Sequence, residues 1–260
     1  MPFSLIGSAA GGSGDAINAN CTLNTTGANL LVVCATWNHG NAPSMTLSDT
    51  KGNTWTAINA NRVGTYYTNG FWYCVNPVVG TGHIFWIVGN GVVCYPAIAA
   101  SAYAGARLTT PKDQNNAGPL SIAPATVITT GAITPTQADE LLVIGVSGGF
   151  NNGTGISSID SGFTQLAQQF GVAALNGGAG MAYQIQGPAT TRNATVTTGG
   201  GYDLSAAICS FFSAVSFTVL TGAASVTVST AASLSAPAPL AGSAGFALGV
   251  SSAVLSVPAA

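Results

Sequence analysis

The sequence predicts an all-β protein, built as two β-sandwich units in tandem and a strand-rich C-terminal arm. Short runs rich in Val, Ile, Thr and aromatics are punctuated by Gly, Asn, Pro and Asp about every ten residues. No stretch places apolar residues at the helical period between caps, so helices are expected to be few. The chain also repeats itself after about 110 residues.

The first unit is expected over residues 1–110. Its strand-like runs are Leu30–Trp37, Thr54–Ile58, Phe71–Val75, Ile84–Val88 and Val92–Tyr103. In Leu30–Trp37 both alternating faces are apolar, with Leu30, Val32 and Cys34 on one and Leu31, Val33, Ala35 and Trp37 on the other. A sandwich strand normally keeps one wet face. Two dry faces therefore predict a cover on the outer side, either the second copy or a neighbouring subunit.

The second unit is expected over 111–215, because four landmarks recur there in order. Asn29–Trp37 matches Glu140–Gly148, and the turn Ser48-Asp49-Thr50 matches Ile159-Asp160-Ser161. Phe71–Pro77 matches Met181–Pro188, and Ala100–Tyr103 matches Cys209–Phe212. The run Leu204–Leu220 is interrupted by four serines and lacks flanking cations, so it reads as strands and not as a membrane span.

The arm, 216–260, follows Asp203, after which no charged side chain occurs. Leu220–Val228 aligns without a gap on Leu240–Leu248, a repeat of 20 residues. Val226 and Val228, and likewise Phe246, Leu248 and Val250, alternate with small residues at strand period, and are candidate oligomer contacts. Small side chains bury little apolar area against a backbone ordering cost of roughly 1–2 kcal/mol per residue. Such a segment is expected to borrow contacts from another copy.

Composition narrows the function. Only 5% of residues are charged and the net charge is −2, against about a quarter charged in ordinary globular chains. The five basic residues are scattered, so no phosphate-tracking surface and no nucleic-acid partner is expected. Cys21, Cys34, Cys74, Cys94 and Cys209 form no C-x-x-C pair and read as small buried hydrophobes, with a Cys74–Cys94 bridge left open. The N-terminus has neither a basic region nor a sustained apolar core of the secretory kind. A charge-poor surface without a secretion signal is reconciled by a virus particle released by lysis, with no membrane association.

Catalytic and metal chemistry finds no support. The two histidines, His39 and His83, lack a Cys, His or carboxylate at ligand spacing. No G-x-S-x-G elbow is present. Asp139 and Glu140 are neighbours whose side chains diverge, so no glycosidase pair is nominated. Asp49 and Asp160 occupy equivalent turns, which favours turn-stabilising side chains over catalysis. No catalytic residue, metal site or cofactor is expected.

One asymmetry points to a ligand. All four tryptophans, Trp37, Trp55, Trp72 and Trp86, lie in the first unit. Aromatic rings beside Asn and His loops are what a sugar surface uses. Trp37, His39, Trp55, Tyr66 and Tyr67, at strand ends and loops, are the candidate glycan contacts, with a bulkier core as the competing reading. Trp72 and Trp86, inside apolar runs, read as core.

The strand Asn29–Trp37, the segment Ser48-Asp-Thr-Lys-Gly-Asn-Thr-Trp55 and the aromatic strand Phe71–Pro77 together resemble a broad group of bacteriophage and phage-like proteins. Leu240-Ala-Gly-Ser-Ala resembles the small-residue repeats that trail such domains. The resemblance implies concanavalin-like or jelly-roll sandwiches in virion surface proteins: decoration proteins, head fibres or tail fibres. It carries over no catalytic residue. The function expected is thus a non-enzymatic virion protein that forms homo-oligomers and binds other virion proteins through its arm and apolar sheet faces. The alternatives are a glycan-binding module or receptor-binding adhesin for a host-surface glycan, and an extracellular filament subunit.

Overall fold

The computed structural model describes residues 2–13, 17–38, 45–89, 95–150, 155–170 and 176–214. These lie in one compact unit, Met1–Phe217. They are all-β, with strands paired antiparallel throughout and no helix among the described residues. Cys94 and the candidate oligomer contacts Val226, Val228, Phe246, Leu248 and Val250 lie outside the described residues.

The first half contains β1 (Ser4–Gly12), β2 (Asn18–Leu23), β3 (Leu30–Asn38), β4 (Met45–Asp49), β5 (Thr56–Ala57), β6 (Arg62–Val63), β7 (Tyr67–Val75), β8 (His83–Gly89) and β9 (Ala97–Ala104). One of its sheets runs β1-β9-β3-β7-β5, with β6 also on β7; the other runs β2-β8-β4. The second half contains β10 (Lys112–Ala117), β11 (Ala125–Thr129), β12 (Leu141–Phe150), β13 (Ile156–Ile159), β14 (Thr164–Gln169), β15 (Asn176–Ile185) and β16 (Thr195–Phe211). Its sheet runs β10-β16-β12-β15-β14, with β11 and β13 both on β16.

The two orders are the same order. β1, β3, β5 and β7 correspond to β10, β12, β14 and β15, and β9 to the C-terminal part of β16. The N-terminal part of β16 sits between β11 and β13 as β8 sits between β2 and β4. What is two strands in the first half is one long, bent strand in the second. The bend falls where Gly200 adopts φ +107° and Asp203 adopts φ +51°, with a register shift opposite it between Ser147 and Gly149. A bulge and a left-handed residue let one strand turn a corner and serve two layers.

Packing explains the dry strands. Leu31, Val33, Ala35 and Trp37 of β3 join Cys21, Phe85 and Ile87 in a core beneath the β2-β8-β4 sheet. The other face of β3, Leu30, Val32 and Cys34, packs with Leu141, Val143, Met181 and Phe211 of the second half. Leu142, Ile144 and Val146 of β12 then face a third core closed by Ile128, Ile156 and Val196. β3 and β12 are both central strands of a four-layer stack, which is why neither shows polar alternation. The cover on the outer side of β3 is the second copy.

The large sheets meet with their orders reversed. β1 packs against β14, where Ala167 N–H donates to Ser8 Oγ at 3.2 Å. At the opposite edge Asn115 of β10 donates to Asn59, which follows β5. These two contacts are equivalent under a two-fold axis along the strands, the relation of an isologous dimer fused into one chain. In the centre Cys34 lies against Gly145, its own counterpart in the repeat: a Cβ on Gly145 would stand 3.0 Å from Cys34 Sγ and 2.9 Å from the Phe71 ring.

Several elements differ from expectation in extent. Thr54–Ile58 contributes only the two-residue β5, and Val92–Tyr103 begins as strand at Ala97, residues 91–94 lying outside the described set. Leu204–Phe211 is strand and almost wholly buried. Cys21, Cys34, Cys74 and Cys209 are buried and unbridged, and burial pushes the Cys34 thiol up to about 12 despite a hydrogen bond to Ser147 that acts the other way.

Candidate functional site

Two polar clusters and one cleft hold the side chains that carry chemistry. The first cluster is organised by the turn that ends β4. Asp49 is the last residue of that strand and points inward with Met45. Its Oδ1 accepts the Lys51 N–H at 2.7 Å and the Asn53 side-chain amide at 3.2 Å. Its Oδ2 accepts the Trp55 indole N–H at 2.9 Å. The left-handed turn residue is Gly52, at φ +70°. Asn53 clamps the turn to the next connection, donating to Val78 O at 3.1 Å and accepting Val78 N–H at 2.7 Å. The expectation of a turn-stabilising Asp49 thus matches the geometry, and Asp160 likewise accepts the Thr195 N–H at 2.7 Å.

Asp49 has a further partner that spacing along the chain conceals. His83 Nε2 lies 3.0 Å from Asp49 Oδ1, and His83 Nδ1 lies 3.0 Å from Thr25 Oγ1. Hydroxyl, imidazole and carboxylate stand in the order of a nucleophilic triad. They are sealed, however: Thr25 and His83 are 0% exposed. The Thr25 hydroxyl oxygen already receives Gly80 N–H at 3.0 Å, and the imidazole stacks on Phe85 with centroids 4.2 Å apart. No substrate reaches this chain of bonds, which ties three loops together. Burial pushes the Asp49 carboxyl up, but His83, the Lys51 amide, the Trp55 indole and the Asn53 amide outweigh it and hold it below the ordinary carboxylate value. The register supplied the missing signal. Asp49 shares the inward parity of Met45, and His83 that of Phe85 and Ile87, so each needed a buried polar partner.

The second cluster joins Glu140 to Asp113. Glu140 Oε1 accepts the Gln137 N–H at 2.9 Å, and Asp113 Oδ2 accepts the Thr136 N–H at 2.7 Å. Burial drives the Glu140 carboxyl above its usual value, and the Asp113 carboxyl beside it adds to the rise against Ser210 and Gln137. This carboxyl pair escaped the sequence reading, which weighed Glu140 only against its neighbour Asp139. Glu140 is 0% exposed and Asp113 half-buried, and together they hold the backbone of the 136–140 turn.

The cleft opens at the junction of the halves. Asn38, Tyr66 and Tyr67 of the first half and Tyr202 of the second line a space of about 270 Å³. Tyr66 is 53% exposed, whereas Tyr67 is buried beneath it. Both backbone amides are held by one carboxylate: Asp203 Oδ2 accepts Tyr66 N–H, and Tyr67 N–H at 3.0 Å. Asn69 donates to Asp203 O at 2.9 Å and accepts the Thr36 hydroxyl at 2.7 Å. Gly64 opens the loop because a Cβ there would fall 2.3 Å from Asp203 Cγ. The second half thus shapes the Tyr66 loop of the first. Tyr202 and Asp203 had no signal in the sequence beyond Asp203 being the last charge of the chain.

The aromatic candidates divide. Tyr66 and Tyr67 come together in the cleft, with only Tyr66 offering a ring to solvent. Trp37 is 1% exposed; its indole fills the space over Gly89, where a Cβ would fall 0.9 Å from a ring atom. It offers no face to a ligand, and the expectation for it is corrected to core. Trp55 is half-buried, bonded to Asp49 and edge-on to Phe85, so it anchors the turn. His39 lies outside the described residues. Trp72 is buried, as expected. Trp86, read as core, in fact sits on the outward face of β8, half-buried between inward Phe85 and Ile87.

No family model matches the chain, and neither the curated proteins nor the solved structures contain a significantly similar one. Among the described residues no three His, Cys, Asp or Glu side chains gather as metal ligands.

Proposed function

We propose that this chain is a non-enzymatic structural protein of a virion surface, of decoration or fibre type, in which each half is a jelly-roll-like sandwich. In the first half the sheet β1-β9-β3-β7-β5 faces the sheet β2-β8-β4, an arrangement of eight strands in two layers that supports that reading. In this proposal units 1–110 and 111–215 form the body, and the arm 216–260 makes the homo-oligomeric and virion contacts. The observation that carries it is the chemistry of the two outer faces. The outward residues of β2, β8 and β4, and of β11, β13 and the N-terminal part of β16, are Asn, Ser, Thr and apolar, with no charge. Such faces pack against neighbours without desolvating ions and hold in high salt.

Deleting 216–260 is expected to reduce the sedimenting oligomer to the single body and to abolish particle binding. Assembly unchanged by the deletion rejects the role of the arm.

The Tyr66 cleft favours a second reading, a glycan-binding module or adhesin. An exposed tyrosine with Asn38 and Tyr202 in a concave space supports it. Tyr66→Ala is then expected to weaken binding to host-surface glycan about tenfold, roughly 1.4 kcal/mol, with unchanged thermal unfolding. Equal binding by the variant on immobilised glycan removes this reading.

A further inference from the structure

The tryptophan that sequence reasoning placed in the core marks a second surface. In β8 the side chains of His83, Phe85 and Ile87 point inward, and Ile84, Trp86 and Val88 point out as an apolar stripe along the middle strand of the β2-β8-β4 sheet. Cross-strand register puts Asn20 on one side of Trp86 and Ser48 on the other, with Thr22 beside Ile84. Asn20 and Thr22 are exposed.

The fold does not require a tryptophan there. Within the same chain, the second half supplies the comparison. Phe85, between β2 and β4, and Val196, between β11 and β13, are both buried inward positions of the outer layers. The outward residue beside Phe85 is Trp86; beside Val196 it is Thr197, flanked by Val127 and Ser158. The outward residue on the other side of Val196 is Thr195. The second half forms the same layer with threonines in this row, so the indole is surplus to the sandwich.

The shape of the stripe selects its occupant. The apolar part of this face is narrow, three half-buried side chains in single file. A narrow ligand with an apolar face and hydrogen-bonding edges fits a flat ring bordered by an amide and hydroxyls. The absence of any charge on the outward side of these strands fits a ligand without charge.

We infer that the outward face of β2-β8-β4 binds an uncharged polysaccharide chain, with Trp86 as the stacking platform and Asn20 and Ser48 as its hydrogen-bonding borders. This shares the ligand class of the glycan reading above, but not its place; the Tyr66 cleft is a different site.

The test is native affinity electrophoresis of the full chain through gels containing a neutral glucan, mannan or galactan, with polygalacturonate as the acidic control. At least one neutral polymer is expected to retard the protein. Trp86→Thr, which installs the residue of the second half, is expected to weaken that retardation at least about tenfold while leaving the unfolding midpoint in place. Tyr66→Ala is expected to leave it unchanged. Retardation by none of the neutral polymers overturns the proposal, as does retardation by the acidic one alone or equal retardation of Trp86→Thr. Loss in Tyr66→Ala with retention in Trp86→Thr also overturns it, while leaving the cleft reading standing. A fall in sedimentation coefficient on Trp86→Thr, without polysaccharide binding, assigns the face to contacts between copies instead.

Discussion

Asp49→Ala is expected to cost about 3–5 kcal/mol of folding stability, because several hydrogen bonds to one carboxylate, each worth about 1.5–3 kcal/mol, are lost together. Whole domains are stable by about 5–15 kcal/mol, so the variant is expected to unfold at a much lower denaturant concentration. The cost has two parts. The His83 imidazole loses its Nε2 partner while remaining sealed at 0% exposure, and the Trp55 indole loses its acceptor. Trp55→Phe removes only the indole donor and should cost about 1.5–3 kcal/mol, as for hydrogen bonds to charged groups. The two substitutions share one network, so their costs should not add. The acid limb follows from the same site. The carboxyl titrates below its unfolded value in the native state, so its stabilisation is complete above the unfolded value near 4 and disappears as pH falls through the lowered native value. Wild type and variant should therefore converge in stability toward low pH. A variant within about 1 kcal/mol of wild type at neutral pH would contradict the assignment of Asp49 as the hub.

Residues 1–110 expressed alone should not persist as a soluble monomer. Separated from the second half, this unit uncovers Leu30, Val32, Phe71, Ala99 and Tyr103, all buried in the shared core. Burying such side chains is worth about 1.5–3 kcal/mol each, so the exposed face carries a driving force on the order of 10 kcal/mol. Two outcomes fit: aggregation, or a homodimer that reuses the two-fold relation of the halves. The homodimer would set Cys34 against Cys34, where the intact chain sets Cys34 against Gly145. Glycine on one side of this contact leaves room for the Cys34 side chain on the other, in a close-packed centre that holds one side chain and not two. A monomer of 1–110 that sediments as such at micromolar concentration and unfolds cooperatively would refute the back-to-back core as a condition of folding.

Particular residues show where the sequence was legible. The doubled landmarks around Asn29 and Glu140 predict a repeat, and the two large sheets run in the same strand order. The two dry faces of β3 announced a layer on each side. The side chain of Asp49 was legible as a turn former because its nearest partners, Lys51 N–H and Asn53, lie within four residues. Its bond to His83 was not, because strand register brings together residues 34 positions apart. Trp37 and Trp86 were read the wrong way round for a related reason. In a strand, the direction of a side chain depends on parity and on what covers each face, and runs without polar residues disclose neither.

Composition and periodicity were enough by themselves to establish an all-β chain with almost no charge. These are properties of local patterns, which survive without knowledge of neighbours. Only the tertiary structure decided that the halves share one core, that Asp203 of the second shapes the Tyr66 loop of the first, and that Trp86 faces outward. Each of these depends on which surfaces meet across layers, and that is set by register and packing between segments far apart in the chain.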